Sequence, residues 1–233
     1  MSTTNKFWMS SSCKSIAGIL VAFKLIIAST PAWAQATSHH CEDVNVNEEK
    51  AGPACLLSHE SLGSFNVDTV YWSLDKYSSV EAAQRDVVRG ASVIKAFGSV
   101  WLFTVGPVAS RPLNGEHVAQ VGPISIDRNT SYDAEFLKST FSPGMTAPIH
   151  VHSGPEAFYA VSGDSCLETP EGVQVGRGAG NSMVIRGGPP MLLMALGREP
   201  RKGFALILHA PSLPPTTLVH DWTPKGLCQA EMR

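Results

Sequence analysis

Two histidines and a glutamate crowd into the stretch Gly144-Met-Thr-Ala-Pro-Ile-His150-Val-His152-Ser-Gly-Pro-Glu156. On a β-strand successive side chains alternate between faces, so His150 and His152 point the same way. Ser153-Gly154-Pro155 reads as a turn that reverses the chain, which lets Glu156 open an antiparallel strand beside them. Two imidazoles and one carboxylate on a concave face make a facial triad, the donor set that leaves open positions on an octahedral cation. The imidazoles must be neutral to donate, and the carboxylate offsets the cation's charge. Packing gives no reason to gather three such groups, and burying them without a cation or hydrogen-bond partners is costly.

The elements around this stretch read as short strands. Composition points that way: 20 Gly and 16 Pro in 233 residues mean many turns. From Tyr132 onward the expected strands are Ala134–Phe141, Ile149–His152, Ala157–Val161, Ser165–Glu168, Val173–Val175, Ser182–Ile185, Met191–Leu196 and Phe204–His209. Upstream lie strand-like runs at Val70–Leu74, Ser92–Phe97, Val100–Val105 and Val118–Ile126. One helix interrupts them, with Ser78 and Glu81 as a capping box, Val80, Ala83 and Val87 on one face, and Gly90 at its C-terminal end. The organisation expected is a polar N-terminal arm over 35–60, a β-rich extension with that helix over 61–129, a barrel core over 130–212, and a Pro-rich tail over 213–233 lying extended on the surface. Strands spaced this closely predict an all-β antiparallel sandwich or barrel.

The stretch resembles the first motif of the cupin superfamily: Gly, five residues, His-x-His, three or four residues, Glu, six residues, Gly. Gly144, His150, His152, Glu156 and Gly163 match every specified position. The resemblance covers roughly residues 130–210, looks like a single-domain, cupin type-2-like protein, and implies a double-sheet, jelly-roll-like β-barrel with an N-terminal strand and helix extension. The second motif departs. Aligned from Gly180, its proline position holds Arg186, its fourth-ligand histidine position Met191 and its asparagine position Ala195; Gly188 alone matches among these. No histidine lies between His152 and His209 to take the fourth place. The metal shell implied is therefore His150, His152 and Glu156, with Met191 or water in the remaining space. A thioether is a soft ligand that suits copper, and methionine is also a common core filler. Phe158, in phase with Glu156, is expected to line the same cavity with Met183, Met191 and Phe136, whereas Tyr159 falls on the opposite face. His209 reads as a satisfied or solvent-facing histidine rather than a base.

The resemblance implies a divalent transition metal (iron, manganese, zinc or copper) and allows dioxygenases, isomerases and decarboxylases alike. A cavity lined by methionine and phenylalanine favours a small apolar or aromatic molecule over a phosphosugar, and among enzymes an oxygenase, an oxidoreductase. Two other readings stand beside it: a non-catalytic barrel that binds a small molecule or a metal, and a degenerate structural cupin. The N-terminal strands could extend a sheet into a homodimer. Lys+Arg 18 against Asp+Glu 20 leaves no basic excess, which argues against nucleic acid as a partner.

Residues 1–34 carry Lys6, Lys14 and Lys24, no acid, an apolar run from Ile16 and the small-x-small signal Ala32-Trp33-Ala34. They read as a signal peptide whose cleavage leaves no membrane anchor and a secreted or periplasmic chain. That chain keeps Cys41, Cys55, Cys166 and Cys228, an even number suited to disulfides; Cys41–Cys55 as a local staple and Cys166–Cys228 as a tether for the tail are the favoured pairs.

Overall fold

β-Branched and aromatic runs, cut at short intervals by Gly and Pro, give the strands of this fold. The computed structural model describes residues 39–41, 52–112 and 114–232; the expected signal peptide lies outside the described residues. In chain order the elements are β1 (His39–His40), β2 (Gly52–Gly63), β3 (Thr69–Tyr77), α1 (Val80–Arg85), β4 (Ala91–Ala96), β5 (Ser99–Gly106), β6 (Glu116–Ser125), β7 (Tyr132–Phe141) and β8 (His150–His152). They continue with β9 (Glu156–Ser162), β10 (Asp164–Thr169), β11 (Gly172–Gly176), β12 (Ser182–Ile185), β13 (Leu192–Leu196), β14 (Arg201–His209), β15 (Thr216–Leu218) and α2 (Leu227–Ala230).

A large sheet of order β1-β2-β7-β14-β9-β12 is the centre of the molecule. On one side it faces two small sheets, β11-β10-β13 and β15-β8; on the other it carries the extension sheet β4-β5-β3-β6. The fold is all-β and double-sheeted. The expected barrel takes the form of a sandwich, because the small sheets join at their edges only through isolated bridges, Thr146 to Met194 and His150 to Met191.

Two cores follow from strand alternation. The outer one packs Trp72, Trp101 and Phe103 of the extension against Phe136, Tyr159, Phe204, Leu206 and Leu208 of the large sheet. Its rings meet edge-on, Trp72 to Phe103 at 5.3 Å and Phe103 to Phe204 at 4.9 Å, the arrangement that aromatic quadrupoles favour. The inner one lies between the facing sheets and holds Phe141, Phe158, Leu167, Met183, Ile185, Met191, Leu193 and Ala195. A third cluster covers the far side of β10 and β13, where Cys166, Met194, Leu196 and Cys228 pack under α2. Buried Glu168 accepts there from the backbone N–H groups of Lys225 and Cys228, fastening the start of α2. Disulfides join Cys41 to Cys55 and Cys166 to Cys228, with Cα separations of 5.1 and 5.7 Å.

Three expectations change. Residues from Gly52 onward are not part of a polar arm but a strand, β2, paired antiparallel to β7 through a bulged register; the bulges break the alternation that would have marked it. The helix is capped by Ser79, whose hydroxyl accepts from the Ala82 N–H at 3.1 Å, and it ends at Arg85, leaving Val87 exposed. The Pro-rich tail is more than an extended surface segment: Thr216–Leu218 pairs with β8, and Leu227–Ala230 forms α2.

Candidate metal centre

β8 holds the two histidines in a fixed register, with His152 opposite Thr216 and His150 opposite Leu218 of β15. The chain then turns through Ser153-Gly154-Pro155 into β9, whose first residue, Glu156, pairs with Ile207 on one side and Ile185 on the other. Gly154 makes the turn possible: a Cβ at that position would stand 2.0 Å from the Leu208 carbonyl oxygen. Side-chain donors of His150, His152 and Glu156 converge to within 4.8 Å of one another.

Each imidazole is oriented from behind. His150 Nδ1 lies 2.6 Å from the Pro148 carbonyl oxygen, and His152 Nδ1 lies 2.8 Å from that of Pro215. A carbonyl only accepts, so both Nδ1 atoms carry the proton and both Nε2 atoms turn to the centre. This is how metal-ligating histidines are held. The Nε2 atoms stand 3.0 Å apart, and His152 Nε2 is 2.9 Å from Glu156 Oε2. That approach is an ion-pair distance but is not aligned as a hydrogen bond, and buried Glu156 Oε2 has no hydrogen-bond partner among the described residues. Two nitrogen lone pairs face to face beside an unpartnered buried carboxylate oxygen form a donor set that a divalent cation would satisfy. Burial and the neighbouring His152 push the His150 pKa down, against the pull of Glu156 and the Pro148 carbonyl. Burial pushes His152 down as well, but the charge and contact of Glu156, the Pro215 carbonyl and the charge of Glu135 outweigh it, and its pKa is raised.

The expected lining divides. Phe158, Met183 and Met191 lie together in the inner core, and Met191 bridges to His150 through its backbone N–H at 2.9 Å. Phe136 is not there. It lies on the opposite face of the large sheet, with its ring 5.5 Å from Phe103 and 6.2 Å from Trp72. Asp133, Glu135 and Ser139 take the inward positions of β7, so the residues between them point to the extension. Tyr159 is in the outer core. His209 is buried, not solvent-facing, and among the described residues only its Nδ1 finds a partner.

Two features of the site have no counterpart in the sequence reading. One is Arg201, fully buried between the sheets, which donates to Ser165 Oγ at 3.0 Å and Ser139 Oγ at 2.8 Å. Its guanidinium carbon lies 6.0 Å from the ring centres of both Phe141 and Phe158, and its Nη2 has no hydrogen-bond partner among the described residues. Burial pushes its pKa down to about 10, partly offset by the charge of Glu156, so it stays charged at neutral pH. Gly203 leaves it room, since a Cβ there would lie 2.9 Å from the guanidinium. The other is the segment following β14. Its Pro214 carbonyl accepts from Ser153 Oγ at 2.8 Å, its Pro215 carbonyl from His152, and its Thr216 hydroxyl lies 3.1 Å from His152 Nδ1.

Comparison with known proteins adds distant likenesses. No protein-family model and no curated protein matches the chain. Among solved structures it is similar to an oxalate oxidase in complex with the substrate analogue glycolate (20% identity, 37% of this chain, 46% of that one, TM-score 0.32). It is also similar to a cupin-like protein from Thermotoga maritima (15% identity, 42% of this chain, 72% of that one, TM-score 0.36). A third is the oxalate decarboxylase of Lactobacillus farciminis in a formate complex (22% identity, 43% of this chain, 32% of that one, TM-score 0.33). The chain thus spans less than half the length of the oxidase and about a third of that of the decarboxylase. The facing sheets, with the Gly144–Gly163 motif running through β8 and β9 at their edge, give the chain a likeness to the cupin fold that its motif resembles.

Proposed function

We propose that this chain is an exported metal-dependent oxidoreductase of the cupin type, an oxygenase of a small apolar or aromatic molecule, with a divalent transition ion held by His150, His152 and Glu156. The observation that carries the reading is the pair of Nε2 lone pairs meeting beside the unpartnered Glu156 Oε2. Three protein donors leave positions open on a first-row ion, and such an ion, when bound, supplies Lewis-acid or one-electron chemistry there. The chain's own residues do the rest. Pro148 and Pro215 hold the imidazole tautomers, and half-buried His150 opens the site toward the rim. Phe158, Met183 and Met191 keep water from the inner side. Arg201, beyond Phe158, gives this apolar interior one cationic end, which suits a small acid with an apolar body. The two disulfides support an oxidising compartment and hence export.

A second reading, a barrel that holds metal without turnover, is favoured by one observation. Phe158, Met183, Met191 and Leu193 fill the inner core, and concavities of about 960 and 270 Å³ lie elsewhere, one beside α1 and one at the β9–β10 turn. Elemental analysis of the purified chain beside Glu156→Gln, followed by oxygen uptake with small aromatic acids, separates the readings. Near-stoichiometric metal lost in the variant, with uptake lost in parallel, is the expected result. Metal without uptake selects the metal-holding barrel, and no metal in either protein, even after reconstitution, overturns both.

A further inference from the structure

The inward face of the large sheet carries a second set of convergent donors, apart from the motif. His209 ends β14 directly across from Asp133 of β7, and His59 of β2 sits across from Glu135, two residues along on the same face. Three neighbouring strands thus bring to one place residues that span 150 positions of sequence. The donor atoms of His59, Asp133 and His209 lie within 4.8 Å of one another, with His59 Nε2 3.3 Å from Asp133 Oδ2.

The state of His209 gives this cluster its meaning. The residue is 5% exposed. Its Nδ1 lies 3.0 Å from the Ala210 carbonyl oxygen and 3.1 Å from that of Leu213, so Nδ1 bears the proton. Nε2 is then a lone pair, buried, with no partner among the described residues. A buried acceptor left unmet costs stability. A surface ion pair between His59 and Asp133 would explain those two residues and leave His209 Nε2 unexplained. A cation explains all three, because backbone carbonyls fix the same tautomer here as in the His150–His152 pair.

We propose that His59, Asp133 and His209 form a second metal site, for a borderline divalent ion such as Zn²⁺. Two imidazoles and one carboxylate are a zinc donor set, and the half-exposed His59 leaves the fourth position to solvent. The site shares no ligand with the triad, and Ile207 stands between them: that residue pairs with Glu135 on one side and Glu156 on the other.

The test is calorimetric titration of the chelator-stripped, full-length mature protein with ZnCl₂. Parent protein should take up two equivalents, His150→Ala/His152→Ala one, His59→Ala one, and the combined variant none. His59 is exposed enough for its truncation to leave the fold intact, and Asp133→Asn gives the same readout without a change in volume. A His59→Ala isotherm identical to the parent's, or no zinc bound by the triad-less variant, overturns the second site. A His59-sensitive equivalent in a protein whose triad stays empty would sustain it and sink the triad instead.

Discussion

Strands β7, β9 and β14 present two chemically opposed faces from alternate residues. Toward the extension they offer Ala134, Phe136, Ala157, Tyr159, Phe204, Leu206 and Leu208, closed against Trp72, Trp101 and Phe103. Toward the small sheets the same strands offer Asp133, Glu135, Ser139, Glu156, Arg201 and His209, nearly all buried, set among Phe141, Phe158 and Ala205 of the inner core. One face holds the sheet flat against a dry aromatic layer; the other concentrates charges and lone pairs that packing alone would reject. The extension is thus more than an appendage to the site. It supplies the apolar contact that lets the opposite face carry groups costing stability.

Three measurements would break or sharpen that contrast. The largest effect belongs to the aromatic face: Phe103→Ala, which removes a fully buried ring touching Trp72, Phe136 and Phe204, should lower unfolding free energy by about 3–5 kcal/mol in urea titration. Metal content below the transition should not change. Loss of metal before unfolding would show that the faces are not separable. On the chemical face the sign reverses. Arg201→Met replaces a buried, incompletely satisfied guanidinium by an apolar chain, and stability should stay within about 1 kcal/mol of the parent or rise. A loss of several kcal/mol would place Arg201 among the residues that hold the fold.

The smallest effect should come from the β9–β10 turn, which belongs to neither face. Asp164 is held below the ordinary carboxylate range by the Gly178 N–H and, beyond that, by Arg177. Its folded pKa lies under its unfolded one, so its contribution is present above about pH 4, the usual range for aspartate, and fades as pH falls through the folded value. Asp164→Asn should therefore cost less than about 1 kcal/mol at pH 7, and the gap to the parent should close on acidification. A gap that widened at low pH would reverse the assigned sign.

Legibility in the sequence followed the distance over which each feature is assembled. The triad could be read because its three residues are nearly consecutive and strand alternation alone aligns them. His59, Asp133 and His209 could not, since cross-strand pairing is what joins them. The all-β class was plain from turn residues, yet the phase of β7 was not. It is buried on both faces, so Phe136 and Leu137 are equally apolar in sequence, and the cavity position given to Phe136 failed there. Arg201 gave no signal, standing at the edge of a polar turn beside Arg198, Glu199 and Lys202. The tail reads from its prolines as an extended surface segment, while the carbonyls that proline keeps bind Ser153 and His152.

That tail bears on when the centre becomes competent. The carbonyl that sets the His152 tautomer belongs to Pro215, 63 residues further along the chain, and those that orient His209 come just before it. A polypeptide made from its N-terminus therefore displays both donor groups before the atoms that aim them exist. Cys228, still later, must pair with Cys166 to fasten the end in place. An ion held at this centre would thus be selected by the surroundings of the finished, oxidised chain, not by those in which His150 and His152 first emerge.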